Sequence, residues 1–499
     1  MRRGAYVDSV KLMQVSRTIA SLPGVSAALV AMATDLNREL ASGMGFTLPD
    51  TAGPNEMLVA VEAESDEAVS AAIDEVDVVL NAVSVPASSG FGSPPPPLTI
   101  GAAAARSGDA SVALVSTPGQ YAFADAVDAI DAGLHTMVFS DNMPVEQEVA
   151  LKRYAEPAGV LVMGPDCGTA VIGGVGLGFA NVVRLGPVGI VAASGTGAQH
   201  LMTLLAGSGV GISHCLGVGG RDLSEPVGGL STLRGLQLLE VDEATEVIVV
   251  VSKPPADSVA RTVREQAQSL SKPVLLALLG PGQPDITVVA EKVVTATRQP
   301  WRSPRRLAGV LDSSAVAARE TPAPTQTKRF LRGLFAGGTL CDEAMILAAD
   351  RLGPVHSNIP LEPDWSLADN LGSQDHTMID FGDDRLTQGR PHPMIDGSIR
   401  VDRLFAEVDD PTTGVILVDV VLGFGAAAEP AAELRGALEH AAGAGVPVVV
   451  SVIGTEDDPQ DRDRQAQALN DAGAWVYFSN AEATRTAIDL LNQLNGQVW

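Results

Sequence analysis

The sequence predicts an α/β protein built on parallel sheets, with a small α/β domain at its N-terminal end. Three observations carry that expectation. Short Val/Ile/Leu runs alternate with helical patterns from about residue 98 onward. Two glycine-led turns, Ser194-Gly-Thr-Gly197 and Gly337-Gly-Thr339, each follow an apolar run and open a helical pattern. The chain is 46% hydrophobic but only 4% aromatic, a mix rich in Ala, Gly and Val that suits close strand–helix packing. Its 499 residues leave room for about three domains of roughly 150 residues each.

Residues 1–83 read as the small domain. Tyr6-Val7 and Val10–Leu12 lead into a helix over Met13–Leu22, with strands at Val25–Ala33 and Met57–Ala63 and a helix over Ser65–Leu80. That order predicts a split-βαβ, ferredoxin-like unit used for packing or assembly. Residues 84–97 end in four consecutive prolines and form a stiff linker. Residues 98–180 predict a Rossmann-like domain. Its strands are Val112–Val115, Thr136–Phe139 and Gly159–Met163, and its helices Tyr121–Ala132 and Met143–Tyr154, with Pro144 in the first turn.

Residues 181–297 predict a flavodoxin-like domain with strands Val188–Ala192, Gly211–Leu216, Glu246–Val251 and Pro273–Leu278. Residues 298–327, rich in Arg, Pro, Ser and Thr, are a second linker, and 328–499 form a second flavodoxin-like domain. The last two domains are copies. Val415–Val418 echoes Val247–Val250, and Val446–Ser451 echoes Lys272–Ala277. Ser194 to Val247 spans 53 residues and Gly337 to Val415 spans 78, so the second copy carries 25 extra residues within 355–395.

The net charge is -27, which argues against nucleic acid and acidic membranes as partners. Small anions remain possible ligands, because backbone amides bind them without net positive charge. Cys167, Cys215 and Cys341 form neither a disulfide framework nor a CxxC metal pattern. No apolar run approaches the ~20 residues that span a bilayer. The expectation is a soluble cytoplasmic protein.

The turns are the candidate site. A strand that breaks into a helix leaves backbone N–H groups pointing out of the helix start, where the helix dipole adds positive potential. Ser194, Gly195, Thr196 and Gly197, with Gly337, Gly338 and Thr339, are therefore candidate phosphate- or carboxylate-binding residues. His200, one turn further in, either faces that anion or fills the core. Arg390 and His392, in Gly389-Arg-Pro-His-Pro393, are candidates for orienting substrate, since the prolines fix the loop and an Arg grips carboxylate or phosphate in a bidentate fashion. Asp380, Asp383 and Asp384 offer oxygen ligands for Mg²⁺ or form a solvated acidic turn. Cys341 is either a helix-start thiolate or a buried small residue.

The order Gly164-Pro-Asp-Cys-Gly168, Gly189 to Thr196, then Gly217-Val-Gly-Gly220 resembles the α subunit of succinyl-CoA synthetase, and the C-terminal copy resembles the CoA-ligase domain of its β subunit. Their fusion behind an extra N-terminal domain resembles the FdrA family, as do Asp380-Phe-Gly-Asp383 and Gly389 to Asp396. In succinyl-CoA synthetase two helix starts, corresponding to Ser194-Gly-Thr and Gly337-Gly-Thr, hold a phosphorylated histidine. Here the stretch after Leu278 has no histidine, and the Gly-Phe-Thr-Gly phosphate loop has no counterpart before Val112. The FdrA resemblance implies a subunit of an oxamate carbamoyltransferase in allantoin breakdown, working with partner subunits or as a homo-oligomer. Its substrates would be phosphate or carbamoyl phosphate and an oxamate-like acid, with CoA or Mg²⁺ the only cofactors in view. An acyl-CoA ligase and a non-catalytic assembly subunit are the alternatives.

Overall fold

The computed structural model describes residues 9–49, 53, 56–83, 96–307, 329–387 and 390–496. Tyr6, Val7, Gly389 and most of both expected linkers (84–95 and 308–327) lie outside the described residues.

The N-terminal unit runs α1 (Ser9–Ala20), β1 (Val25–Met32), α2 (Asp35–Gly43), β2 (Met57–Ala63) and α3 (Asp66–Val83). Val10–Leu12 already belong to α1, so the helix starts before the expected Met13. The reason is visible in the pattern: Leu12, Val15 and Ile19 share a face and bury it against Val30, Met57, Ala72 and Val76. β1 and β2 pair antiparallel. Arg17, in the last turn of α1, bonds the Glu433 carboxylate and the Ile395 carbonyl, tying this unit to the C-terminal one.

Then come α4 (Ile100–Ser107), β3 (Val112–Val115), α5 (Gly119–Asp131), β4 (His135–Val138), α6 (Val145–Ala158) and β5 (Val162–Met163). β3, β4 and β5 form a parallel sheet in that order. The strand expected over Gly159–Met163 shrinks to its last two residues. The preceding helix continues through Pro157 to Ala158 and stops at Gly159, whose φ of 71° suits a glycine cap. No expectation covers the hairpin β6 (Thr169–Ile172) and β7 (Val175–Gly178), which pairs antiparallel with the edge of the next sheet.

That sheet is built from β8 (Val188–Ala193), α7 (Gly195–Gly207), β9 (Ile212–Gly217), α8 (Leu230–Val241), β10 (Val247–Ser252), α9 (Asp257–Ser269), β11 (Val274–Leu278) and α10 (Ile286–Ala296). Its order is β11-β10-β8-β9-β6-β7, with the first four strands parallel. The last unit holds β12 (Arg306–Leu307), β13 (Phe330–Phe335), α11 (Gly338–Leu352), β14 (Val355–His356), β15 (His376–Asp380), α12 (Asp384–Thr387) and α13 (Ser398–Asp409). It continues with β16 (Thr413–Val421), α14 (Pro430–Ala444), β17 (Val448–Ile453), α15 (Arg462–Asp471), β18 (Trp475–Tyr477) and α16 (Asn480–Leu494). The order is β12-β18-β17-β16-β13-β15-β14, antiparallel only at β12.

The two larger sheets repeat one plan. β8 lies beside β10 as β13 lies beside β16, and β11 and β17 come next. The extra residues of the second copy place β15 beside β13, with β14 outside it. Every residue of β8 and β16 is buried, because helices cover both faces of a parallel sheet. Each large side chain such as Ile190 or Ile416 contributes roughly 1.5–3 kcal/mol by leaving water.

A clasp joins the copies. Asp458 accepts hydrogen bonds from Val182 N (2.7 Å), Asn181 Nδ2 (2.8 Å) and Thr455 N (2.7 Å). Asn181 Nδ2 also donates to Leu422 O, and Phe424 N to Ala180 O. Among the described residues no helix is long and apolar enough to cross a membrane.

Candidate functional site

Chain segments from three sheets reach one cleft, each at the carboxyl end of a parallel strand. Asp166 follows β5, Ser194 follows β8, Lys253 follows β10, Ala336 to Thr339 follow β13, and Asp380 ends β15. Ligands of open α/β sheets bind at such ends because helix starts and strand-end side chains converge there.

The two helix starts touch. Ser194 is extended (φ -169°) and caps α7 by accepting from Gly197 N at 2.9 Å. Its hydroxyl donates to Thr339 Oγ1 at 2.6 Å. Thr196 packs on Gly337, where a Cβ would lie 2.9 Å from Thr196 Oγ1. Gly195 is exposed and Thr196 and Gly338 are half-buried, whereas Ser194 and Thr339 are buried.

The second start differs in one respect from the expectation that Gly337 offers its amide to an anion. Gly337 N donates inward to Asp419 Oδ2 (2.8 Å) and Ala336 N to Asp419 Oδ1 (2.7 Å). Arg400 holds that carboxylate at 2.6 Å. The amides of Gly338 and Thr339 stay among the helix-start groups that have no intrahelical acceptor.

Beside Gly338 the candidate Asp380 meets residues outside the sequence candidates, Lys253 and Asp342. A Cβ at Gly338 would lie 2.6 Å from Asp380 Oδ2 and 2.8 Å from Lys253 Nζ. Burial works against the Lys253 charge, but Asp342, Asp380 and Asp166 offset this and hold its pKa above the usual lysine value. Desolvation pushes Asp380 up to about 7 and Asp342 up to about 6, against the pull of Lys253 in both cases. Desolvation, then the charges of Asp384 and Asp141, push Asp166 up to about 7, although part of that residue faces solvent. Asp166 adopts φ 57°, a left-handed conformation that Asp tolerates better than most residues. The available signal for Lys253 was its place one residue beyond the apolar run Val247–Val251, ahead of two prolines.

The remaining candidates scatter. His392 is half-buried; its Nδ1 accepts from Met394 N at 3.2 Å, and its ring packs 5.9 Å from that of Phe179. Its Nε2 and Asp380 Oδ1 both border Gly382. Burial and the Arg400 charge push it down to about 4, so it is neutral at pH 7. Arg390 is exposed on the neighbouring loop. Asp383 accepts from Arg385 N and Nε, which fixes the turn. His200 faces α16 rather than the cleft, with Asn480 N 3.4 Å from its Nε2. Cys341 is fully buried, and burial with the charges of Asp380 and Asp342 raises its thiol well above the usual range, so the helix-start thiolate is replaced by a neutral core residue.

Among the described residues no group of three or more His, Cys, Asp or Glu is arranged to hold a metal ion. With Asp383 engaged by Arg385, the Asp380–Asp384 turn does not fit a Mg²⁺ site.

Residues 334–490 match the CoA-ligase family model, and residues 1–95 match the model described as AllF, heavy metal-associated domain. Residues 1–95 contain no Cys and no His, so the usual soft-metal ligands are missing from that segment. The chain is 38% identical over 497 residues to the uncharacterized protein YahF of Escherichia coli, covering 96% of each. It is 27% identical over 179 residues to the α subunit of the ADP-forming succinate–CoA ligase of Methanothermobacter thermautotrophicus, a match to 35% of this chain and 59% of that subunit. The dinucleotide-forming acetyl-coenzyme A synthetase 1 of Ca. Korarchaeum cryptofilum, solved with phosphate and ADP, aligns with a TM-score of 0.29 and 16% identity over 78% of this chain and 84% of that one. A likeness that loose carries no argument about activity.

Proposed function

From the premise that this chain belongs to the same family as YahF, with a CoA-ligase domain and an AllF-type N-terminal domain, we propose that it is a subunit of a carbamoyltransferase of the oxamate type. It binds phosphate or carbamoyl phosphate at the starts of α7 and α11. The observation that carries this reading is the buried contact of those two starts, Ser194 to Thr339. Helix starts neutralise a phosphate leaving group and polarise a carbamoyl oxygen, an oxyanion-hole role that needs no covalent nucleophile. The absence of a histidine from residues 279–289 agrees with a phosphate-bearing substrate rather than a phosphoenzyme.

Arg390 and His392 orient the acceptor acid from the adjacent loop. The AllF-type domain supports a place in allantoin breakdown, in the cytoplasm and alongside partner subunits. Incubation of the full chain and its co-purified partners with carbamoyl phosphate and oxamate tests the reading. Phosphate release with formation of oxalurate is expected, reduced at least tenfold by Thr196→Pro or Thr339→Pro in a folded protein. Unchanged transfer in both variants would refute it.

The CoA-ligase match favours a second reading, an acyl-CoA ligase. It predicts CoA binding and ADP–ATP exchange by the purified chain.

A further inference from the structure

We propose that Lys253 is the anion-holding cation of this cleft and Asp380 its proton-transfer group, both acting on a ligand seated over Gly338. The inference rests on the carbamoyl-transfer reading and names the side chains that perform it.

The geometry has three parts. Lys253 Nζ and Asp380 Oδ2 both pack against Gly338, 2.8 and 2.6 Å from where a Cβ would stand. A side chain there would collide with both, so the glycine is what lets an ammonium and a carboxylate come up to the helix-start amides. Among the described residues the two charges do not close into an ion pair and no hydrogen bond engages Lys253 Nζ; the carboxylates act on it through their charge alone. Asp342, 7% exposed, likewise accepts no hydrogen bond and is engaged only by the Lys253 charge. Neither the Lys253 ammonium nor the Asp342 carboxylate is spent on a hydrogen bond among the described residues, so both are left for a ligand with an anionic and a hydrogen-donating end.

Phosphate with a carboxamide supplies both ends. Toward carbamoyl phosphate, a phosphate oxygen attacks the carbamoyl carbon of an N-carbamoyl amide. The C–N bond breaks, and the departing nitrogen takes the proton of Asp380. In the reverse direction the amide nitrogen attacks that carbon, the C–O bond to phosphate breaks, and Asp380 takes the nitrogen's proton. Lys253 stays protonated throughout and balances the phosphate charge. A carboxyl that titrates near pH 7 suits this exchange. The charged or titratable groups facing Asp380 are Lys253, Asp342, Asp383, the Cys341 thiol and the His392 ring.

The test uses the full chain and inorganic phosphate in calorimetry, then carbamoyl transfer with co-purified partners. Lys253→Met is expected to weaken phosphate binding about 10- to 100-fold, and Lys253→Arg to stay within about threefold because it keeps the charge. Gly338→Ala, whose methyl group pushes Lys253 Nζ and Asp380 Oδ2 away from the helix start, weakens it like Lys253→Met. Asp380→Asn binds phosphate at least as well, yet loses about 100- to 10,000-fold in transfer rate and the limb of the pH profile near 7. The inference fails if the wild-type chain binds no phosphate, if Lys253→Met binds it undiminished, or if the Met and Arg variants, both folded by circular dichroism, lose it equally. Transfer that survives Lys253→Met sinks the inference and leaves the carbamoyltransferase reading standing. Phosphate binding lost in Lys253→Met, with no transfer under any condition, sinks the carbamoyltransferase reading and the role of Asp380 with it, and leaves only Lys253 as the anion-holding cation.

Discussion

The starts of α7 and α11 are the same turn in two copies of one domain, yet they are stabilised differently. α7 is capped by its own Ser194, three residues from the amide it accepts. α11 has glycine at that place, and its incoming amides are held by Asp419, a residue of β16 that Arg400 anchors. A local cap fills the helix start with its own side chain. A distant one holds the strand end from behind and leaves Gly338 bare beside Lys253 and Asp380. The copy that takes its cap from elsewhere in the fold is thus the copy whose helix start meets an ammonium and a carboxylate.

The sharpest way to break the comparison is Asp419→Ala. It strands Arg400, 5% exposed, together with two amides, and is expected to cost about 3–5 kcal/mol, read as a lower urea midpoint. Next is Asp458→Ala, which opens the clasp between the copies by removing the acceptor of three hydrogen bonds and leaving the Val182 and Thr455 amides unpaired. A loss of about 2–4 kcal/mol is expected, with limited proteolysis cutting between the halves before either unfolds.

The pair His200 and Glu343 sharpens the comparison through pH. Each stands six residues after its turn, at Ser194 and Gly337, and Asn480 bonds both. Burial lowers His200 from 6.5 to about 4, so its contribution to stability is complete above about pH 6.5 and is lost as the pH falls toward 4. Burial and the Asp285 charge raise Glu343 from 4.5 to about 7, so its contribution is complete below about pH 4.5 and is lost as the pH rises to 7. His200→Leu should flatten the acid side of the stability profile and Glu343→Gln the neutral side, each by at most one proton, about 1.4 kcal/mol per pH unit. Parallel changes in the two variants would show that burial does not govern these groups.

The smallest effect belongs to the local cap. Ser194→Ala is expected to cost about 1 kcal/mol, and a double-mutant cycle with Thr339→Val should show that the two starts are coupled through their hydroxyls. Additive effects would mean that the contact contributes nothing.

Much of the fold could be read in advance, because parallel strands covered on both faces are apolar runs without alternation. Val188, Val247 and Val415 announced themselves in this way, and the strand neighbours of β8 and β13 agree with the repeat. Boundaries were less legible where a helix carried on through Pro157, and the β6–β7 hairpin was missed because its residues have no long apolar run. Within the site, Ser194 and Thr339 could be read from the turn chemistry. Lys253, Asp342 and Asp419 could not, since their partners lie in other strands and helices and charge meets charge only after the sheets are assembled.

The sequence by itself therefore determined the layers, the duplicated turn and the lost histidine, because periodicity, glycine and residue type act over a few neighbours. Tertiary structure decided which helix start is capped from within and which from afar, that His200 and Cys341 point into the core, and that a lysine and an aspartate share the space over Gly338. Those outcomes depend on burial and on distances between residues far apart in the chain, which spacing along the sequence does not encode.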